Sequence, residues 1–303
     1  MTELTAFQQK IAESLTNMEV RFNEPMANHT SFRIGGPAEV MVFPKNAEEL
    51  AAIMKMSVFL DISPAILGAG TNVLAPDNGI SGLVICLKDC LGGMEQTGEN
   101  TIYVMAGVTM TRAAVFAANL GLSGMEFAHG IPGTVGGGVY MNAGAYGGEI
   151  CQVCTRVEVM DRNGNIRILS GEEMQFSYRH SILEETGDIV ICADFVLTKA
   201  EPETIKARMK ELIGKRSASQ PLDLPSAGSA FKRPVGGYAA ALIDQAGLRG
   251  FQVGSAAIST KHCGFAVNLG GATAAEVQEL LRQVSEIVFE KSGIRLEPEV
   301  RIW

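Results

Sequence analysis

The sequence predicts an α+β fold, and three observations lead there. Short β-rich runs ("EVMVF", "GLVICL", "TIYVMAG", "RVEVMD", "NIRIL", "IVICADFVL", "GIRLEPEVRIW") are interspersed with helix-patterned stretches. Two glycine-rich loops interrupt them, "LGAGTNVLAPDNGISG" at 67–82 and "GIPGTVGGGVYMNAGAYGG" at 130–148. No regular strand–helix–strand period surrounds either loop, which argues against a doubly wound parallel sheet.

The elements follow in order. "MTELTAFQQKIAESL" has helical apolar spacing and predicts an N-terminal helix over residues 1–19. Its acidic residue at position 3 does not fit the basic-then-apolar order of a secretory signal. Asn46 with Glu49 is a capping-box signature for a helix over 46–60. Thr109 and Gly121 bracket another helix. The step "DRNGN" at 161–165 predicts a hairpin turn between two strands. Ser170 with Glu173 resembles a further helix start. Residues 202–217 read as helical, and the Pro-rich stretch "ASQPLDLPSAG" leads into a C-terminal domain beginning near residue 205. Thr273 with Glu276 opens a long helix ending near Gly293.

Composition narrows the function. The 303 residues suffice for two or three domains and a core that needs no disulfide staples. Apolar residues make up 47% and charged residues 19%, an ordinary globular balance. A formal net charge of −8 argues against a nucleic-acid or anionic-membrane surface. No apolar run approaches the roughly 18–20 residues that span a bilayer. A cytoplasmic protein, taken as a monomer, is expected. Cys151 and Cys154 match C-x-x-C, but no second pair completes a zinc site. Three residues apart on a strand-like run, they point to opposite faces and read as reduced, structural thiols. No metal site is predicted.

The glycine loops carry the chemistry. "GAGTNV" has Val73 where a third glycine of a dinucleotide fingerprint belongs, and neither loop ends in Gly-Lys-Ser/Thr. Gly68, Ala69, Gly70, Thr71 and Asn72 could still form an anion-binding nest for a pyrophosphate. Ile131, Pro132, Gly133, Thr134 and Val135 are candidates to lie along a flat ring, since glycine admits close backbone approach. The alternative is a pair of tight surface turns.

Several stretches, taken together, resemble the UDP-N-acetylenolpyruvoylglucosamine reductases: "NHTSFRIGGPAE", "LGAGTNVL", "EFAHGIPGTVGGGVYMNAGAYGGE", "FSYRHSIL", "AGSAFKRP" and "LEPEVRIW", in that order. The resemblance runs from about residue 20 to the end of the sequence. It implies a two-lobed FAD-binding domain of the vanillyl-alcohol-oxidase/PCMH type over 20–200, with lobes of about 20–76 and 77–200. A substrate-binding domain over 205–303 would follow, with strand 294–303 returning to the flavin site. FAD would be bound non-covalently, so His129 is not read as a covalent flavin link, and NADPH would be the reductant. The implied substrate is a nucleotide-sugar, with a hydride passing from flavin N5 to the enolpyruvyl β-carbon.

By the same resemblance Ser229 is the proton donor, and Arg179 and Glu299 are catalytic. Glu299 beside a substrate carboxylate is a like-charge conflict, resolved if Glu299 carries a proton and donates a hydrogen bond. Lys232 and Tyr178 are candidate substrate contacts, although Lys232 is also explained as solvated and Tyr178 as a core aromatic. Asn268 reads equally as a turn residue. Arg216 either reaches the flavin phosphate region or is a solvated helix-end arginine. "FVLTKAEPETIKARM" passes from strand to helix without the tyrosine-bearing insertion of longer members, as in the shorter subclass. Two readings compete with the reductase: an FAD-dependent alcohol or sugar oxidase of the same fold, and a non-catalytic nucleotide-sugar-binding module.

Overall fold

A computed structural model describes residues 4–303, which pack as two compact units. The first gathers the chain up to Phe22, Val40–Ala69 and Gly82–Lys215. The second gathers Asn23–Glu39, Gly70–Ser81 and Arg216–Trp303. Segments 23–39 and 70–81, expected in the flavin domain on either side of its lobe boundary near 76, thus pack with the C-terminal part of the chain.

In the first unit, Thr5 and Gln8 form a reciprocal cap that starts the helix Ala6–Ser14. This is shorter than the expected 1–19, whose first three residues lie outside the described ones, and Glu19–Pro25 is already strand. One sheet runs in the order Glu19–Pro25, Pro37–Phe43, Ile80–Cys86, Ala65–Leu67, with the last pair parallel. The helix Ala47–Phe59 starts at Asn46, whose side chain accepts from the Glu49 amide as predicted. A five-stranded antiparallel sheet follows, in the order Ile166–Ser170, Cys154–Met160, Ile189–Val196, Thr101–Met105, Met94–Gln96. Its first hairpin turns at Asp161, whose carboxylate accepts from the amides of Asn163 and Asn165 at 2.8 Å each. Those amides hold the Asp161 carboxyl below its ordinary range. A core including Val40, Ile85, Val104, Val157 and Phe195 fills this unit.

Two sequence expectations need correction. Ser170 and Glu173 do exchange capping hydrogen bonds, at 2.8 and 3.2 Å, yet only a turn over 171–175 results. Gln175 adopts φ +46, a left-handed conformation that no helix continues through. The C-terminal run "GIRLEPEVRIW" is strand only at Arg301–Ile302. Pro298 lacks an amide to donate, and the Leu296 carbonyl is taken by the Ser285 hydroxyl at 2.9 Å.

The second unit is an antiparallel sheet in the order Ser226–Ser229, Phe265–Asn268, Ala256–Ile258, Gln252–Val253, with two helices. The longer helix, Ala274–Ser292, begins with the predicted Thr273–Glu276 capping box and stops at Gly293, φ +72. Val277, Leu280, Leu281, Val284 and Val288 recur at helical spacing and are buried. The two early segments belong here for identifiable reasons. Phe32, Ile34 and Leu74 join its apolar core. The strand Val73–Leu74 pairs in parallel with Arg301–Ile302. Asp77 accepts from the amides of Ala274 and Ala275, at 2.7 and 2.9 Å, at the start of the long helix.

Candidate active site

The glycine-rich stretch is partly a helix. Thr134 caps Val135–Tyr140, its hydroxyl accepting from the Gly137 amide at 3.4 Å. The helix start is fastened inward by the amides of Val135 and Gly136, which donate to the carbonyls of Val108 and Ala106 at 2.8 and 2.9 Å. Close approach explains Gly136: a Cβ there would lie 2.9 Å from the Ala106 Cβ. Part of the glycine content therefore serves the protein's own packing rather than a ligand. Gly137 differs, because it is exposed and a Cβ there would meet nothing nearer than the Thr134 hydroxyl, at 3.6 Å.

The two glycine loops meet in the first unit, where a Cβ on Gly68 would sit 3.0 Å from the Thr134 hydroxyl. Ala69 follows on the same unit; Gly70, Thr71 and Asn72 belong to the second. Main-chain carbonyls hold this loop at intervals: Leu67 accepts from the Leu87 amide at 2.7 Å, Gly70 from Ser31 at 3.0 Å, and Asn72 from Arg301 at 2.9 Å. Of the ring candidates, Thr134 and Val135 are buried, Ile131 and Gly133 half-buried and Pro132 exposed.

Residues of this first-unit region fit a bound flavin on two observations. Gly137 leaves a backbone face bare, and the Nδ1 atom of His129, just before the loop, is buried with no hydrogen-bond partner among the described residues.

Tyr178 and Arg179 occupy the tip of a tight hairpin closed by two hydrogen bonds between Ser177 and His180, at 3.1 and 3.2 Å. The hairpin is tied to the glycine-rich stretch of the same unit. Arg179 Nη2 donates to the Gly144 carbonyl at 3.2 Å, and the Ser181 hydroxyl to the Tyr140 carbonyl at 2.7 Å. Arg179 holds φ +58, a conformation that non-glycine residues keep only where the surroundings enforce it. Its guanidinium lies 5.0 Å from the Tyr178 ring centroid. Tyr178 is 47% exposed, so its reading as a core aromatic is overturned.

Asn142 organises this corner and was missed from sequence. It is buried, adopts φ +44, and its amide donates to Glu149 Oε2 and the Ser177 carbonyl at 2.9 Å each. Its carbonyl oxygen accepts from the Cys151 amide at 2.9 Å. The one available signal is residue type, since asparagine tolerates left-handed backbone.

In the second unit, Ser229 ends the strand Ser226–Ser229 just after a bulge. Ser226 pairs with Val267 and Ser229 with Phe265, so one extra residue is accommodated, with Gly228 at φ +75. Such bulges re-aim side chains. Ser229 borders a small hollow whose lining includes Phe32, Ala266, Val277, Leu281 and Val300. The chain then pairs with its C-terminal segment. The Glu299 amide donates to the Ala230 carbonyl at 2.9 Å, and the Lys232 amide to the Glu297 carbonyl at 2.8 Å. Asn72 Nδ2 donates to the Glu299 carbonyl at 3.1 Å. Ser229, Lys232, Glu299 and Asn72 are thereby gathered into one region, with Lys232 Nζ 3.6 Å from Glu297 Oε2.

Arg216, on the helix Pro202–Ser219, is buried, which overturns its reading as a solvated arginine; Nη1 donates to Gln220 Oε1 at 3.2 Å. Asn268 ends the strand Phe265–Asn268, paired with Ala256, rather than lying in a turn; its side-chain amide donates to the Phe32 carbonyl, and its Oδ1 accepts from the Gly270 and Ala272 amides that follow. Between the strand Thr198–Lys199 and the helix from Pro202 lie only Ala200 and Glu201, leaving no room for an insertion. Among the described residues no helix is long and apolar enough to cross a membrane.

Comparison with known proteins converges on one family. Residues 38–170 match the FAD binding domain family, and residues 220–303 match the C-terminal domain of UDP-N-acetylenolpyruvoylglucosamine reductase. The UDP-N-acetylenolpyruvoylglucosamine reductase of Lachnoclostridium phytofermentans is 45% identical over 297 residues, 97% of this chain and 96% of its own. The crystal structure of the Thermus caldophilus enzyme superposes with a TM-score of 0.80 at 36% identity, covering 95% of this chain and 99% of that one. An alkyldihydroxyacetonephosphate synthase, 14% identical with a TM-score of 0.50 over 66% of this chain, shares the fold alone. The expected fold class, an α+β FAD-binding domain followed by a C-terminal α+β domain, holds. An oxidoreductase with an FAD-binding domain, the chain belongs to the UDP-N-acetylenolpyruvoylglucosamine reductase family.

Proposed function

We propose that the protein reduces the enolpyruvyl ether of UDP-N-acetylglucosamine enolpyruvate to the lactyl ether of UDP-N-acetylmuramate, with NADPH as reductant, as a cytoplasmic step of peptidoglycan precursor synthesis. Bound FAD supplies the hydride chemistry. The observation that carries the reading is the bulged strand that sets Ser229 beside the Glu299 segment.

Reduction adds a hydride at the β-carbon and leaves an electron pair shared by the α-carbon and its carboxylate. Ser229 gives its hydroxyl proton to the α-carbon. Glu299, protonated, donates a hydrogen bond to the substrate carboxylate, and Arg179 stabilises the enolate charge. Lys232 offers a cation against the serine alkoxide or the substrate diphosphate, and Tyr178 a further substrate contact. Gly68–Asn72 cradle the FAD pyrophosphate, Ile131–Val135 border its ring, and Arg216 serves its phosphate region.

The test separates the two half-reactions. Ser229→Ala should leave reduction of the bound flavin by NADPH nearly intact. Reoxidation by the enolpyruvyl nucleotide-sugar, followed anaerobically in a stopped-flow spectrometer, should slow by at least about 100-fold. Equal loss in both would make Ser229 a structural residue and sink the assignment.

A further inference from the structure

We propose that His129 is a further FAD-binding residue, holding a polar atom of the cofactor through Nδ1. The inference rests on the reading of Ile131–Val135 as the cofactor loop. Buried polar atoms in folded proteins are nearly always paired, and an exception calls for a group that the chain itself does not provide. Nδ1 of His129 is such an exception among the described residues.

The surrounding chain does not consume the imidazole, because its own needs are already met. The His129 amide donates to the Glu126 carbonyl at 3.1 Å, and the Ile131 amide to the Ala128 carbonyl at 3.1 Å. The Gly130 amide donates to the Thr111 hydroxyl at 3.2 Å. The nearest carboxylate in sequence, Glu126, is engaged by the Ser123 hydroxyl at 2.6 Å and the Gly124 amide at 2.8 Å. One ring nitrogen is therefore left over where the chain enters the glycine loop. A neutral imidazole nitrogen donates or accepts according to tautomer, so either a carbonyl or an N–H of the cofactor suits it. No covalent bond is involved, and the histidine is a binding residue, not a proton carrier.

The experiment measures FAD retention by the full-chain holoenzyme, from the rise of flavin fluorescence on dilution, with apoprotein melting as a control. His129→Leu should raise the FAD dissociation constant by about 10-fold, the loss of one hydrogen bond, with the apoprotein melting temperature unchanged or higher. His129→Asn, whose amide falls near the Nδ1 position, should recover most of that affinity, whereas His129→Gln, which mimics Nε2, should not. Gly137→Leu tests the underlying loop reading independently and should also release FAD.

Unchanged retention in His129→Leu, with release in Gly137→Leu, overturns the role of His129 and leaves the loop reading standing. It would mean that a trapped water satisfies the nitrogen. Unchanged retention in both overturns the loop reading and the inference with it. Should His129→Leu fail to fold, the Asn and Gln variants decide the matter, and equal retention by those two overturns the proposal.

Discussion

Ser229 owes its setting to the residue before it. Gly228 turns through φ +75 so that the strand can carry one extra residue, and Ser229 then re-enters the ladder opposite Phe265. Glu299 is presented by main-chain bonds on either side, its amide to Ala230 and its carbonyl to Asn72. Glu299→Gln, which keeps a donor, should retain clearly more turnover than Glu299→Ala in steady-state assays. Equal losses would count against a protonated glutamate. Ser229, Arg179 and Glu299 could be proposed from sequence because short motifs surround each of them. Asn142 could not, because its partners Glu149, Cys151 and Ser177 are brought to it only by folding. The burial of Arg216 was likewise invisible, since its charge and helix-end position in sequence argue for solvent.

Helix ends were the most readable elements, and the failures among them are informative. The reciprocal bonds at Thr273–Glu276 and at Ser170–Glu173 look alike in sequence and in geometry, yet only the first continues as a helix. What differs is the following chain: Val277, Leu280 and Leu281 give the first a buried stripe, whereas Gln175 turns left-handed after the second. Capping starts a helix; an apolar face sustains it. The Thr273 helix has an added cap that sequence could not reveal, Asp77, about 200 residues upstream. Asp77→Ala should lower stability by about 1–2 kcal/mol in chemical denaturation, from two lost charge-assisted bonds at a helix N-terminus. The glycine helix Val135–Tyr140 allows a paired test. Gly136→Ala gains about 1 kcal/mol in helix propensity but forces a Cβ to 2.9 Å from Ala106, an overpacking of about 1–3 kcal/mol, so the net change should be destabilising. Gly137→Ala meets only ordinary contact at 3.6 Å and should be neutral or stabilising in the same melt. The reverse order would show that the helix packs otherwise.

Across the whole molecule the six thiols form a map of burial. Cys86, Cys90, Cys154, Cys192 and Cys263 are buried, and Cys151 alone is exposed. Burial pushes the Cys154 thiol up to about 12 and those of Cys90 and Cys192 up to about 11. Desolvation also raises Cys151, though it stays accessible. Because the thiolate is the nucleophile, alkylation of the native protein at pH 8 should label Cys151 slowly and alone, faster as pH rises. The other five should react only after denaturation; a second fast thiol by mass spectrometry would contradict this burial pattern. Domain layout was the least legible scale. A linear reading divides the chain at a connector, whereas segments 23–39 and 70–81 join the second unit through the core residues Phe32, Ile34 and Leu74 and the Val73–Arg301 pairing.

That arrangement has a consequence for biosynthesis. A ribosome delivers Phe32, Ile34 and Leu74 long before Val277, Val300 and Arg301, which they need as partners. At about 5–20 residues per second the nascent chain must shelter these greasy stretches for roughly ten to fifty-five seconds. The second unit cannot close until Val300 and Arg301 have been made, so stops upstream of them should leave the early-made segments stranded for chaperones and proteases.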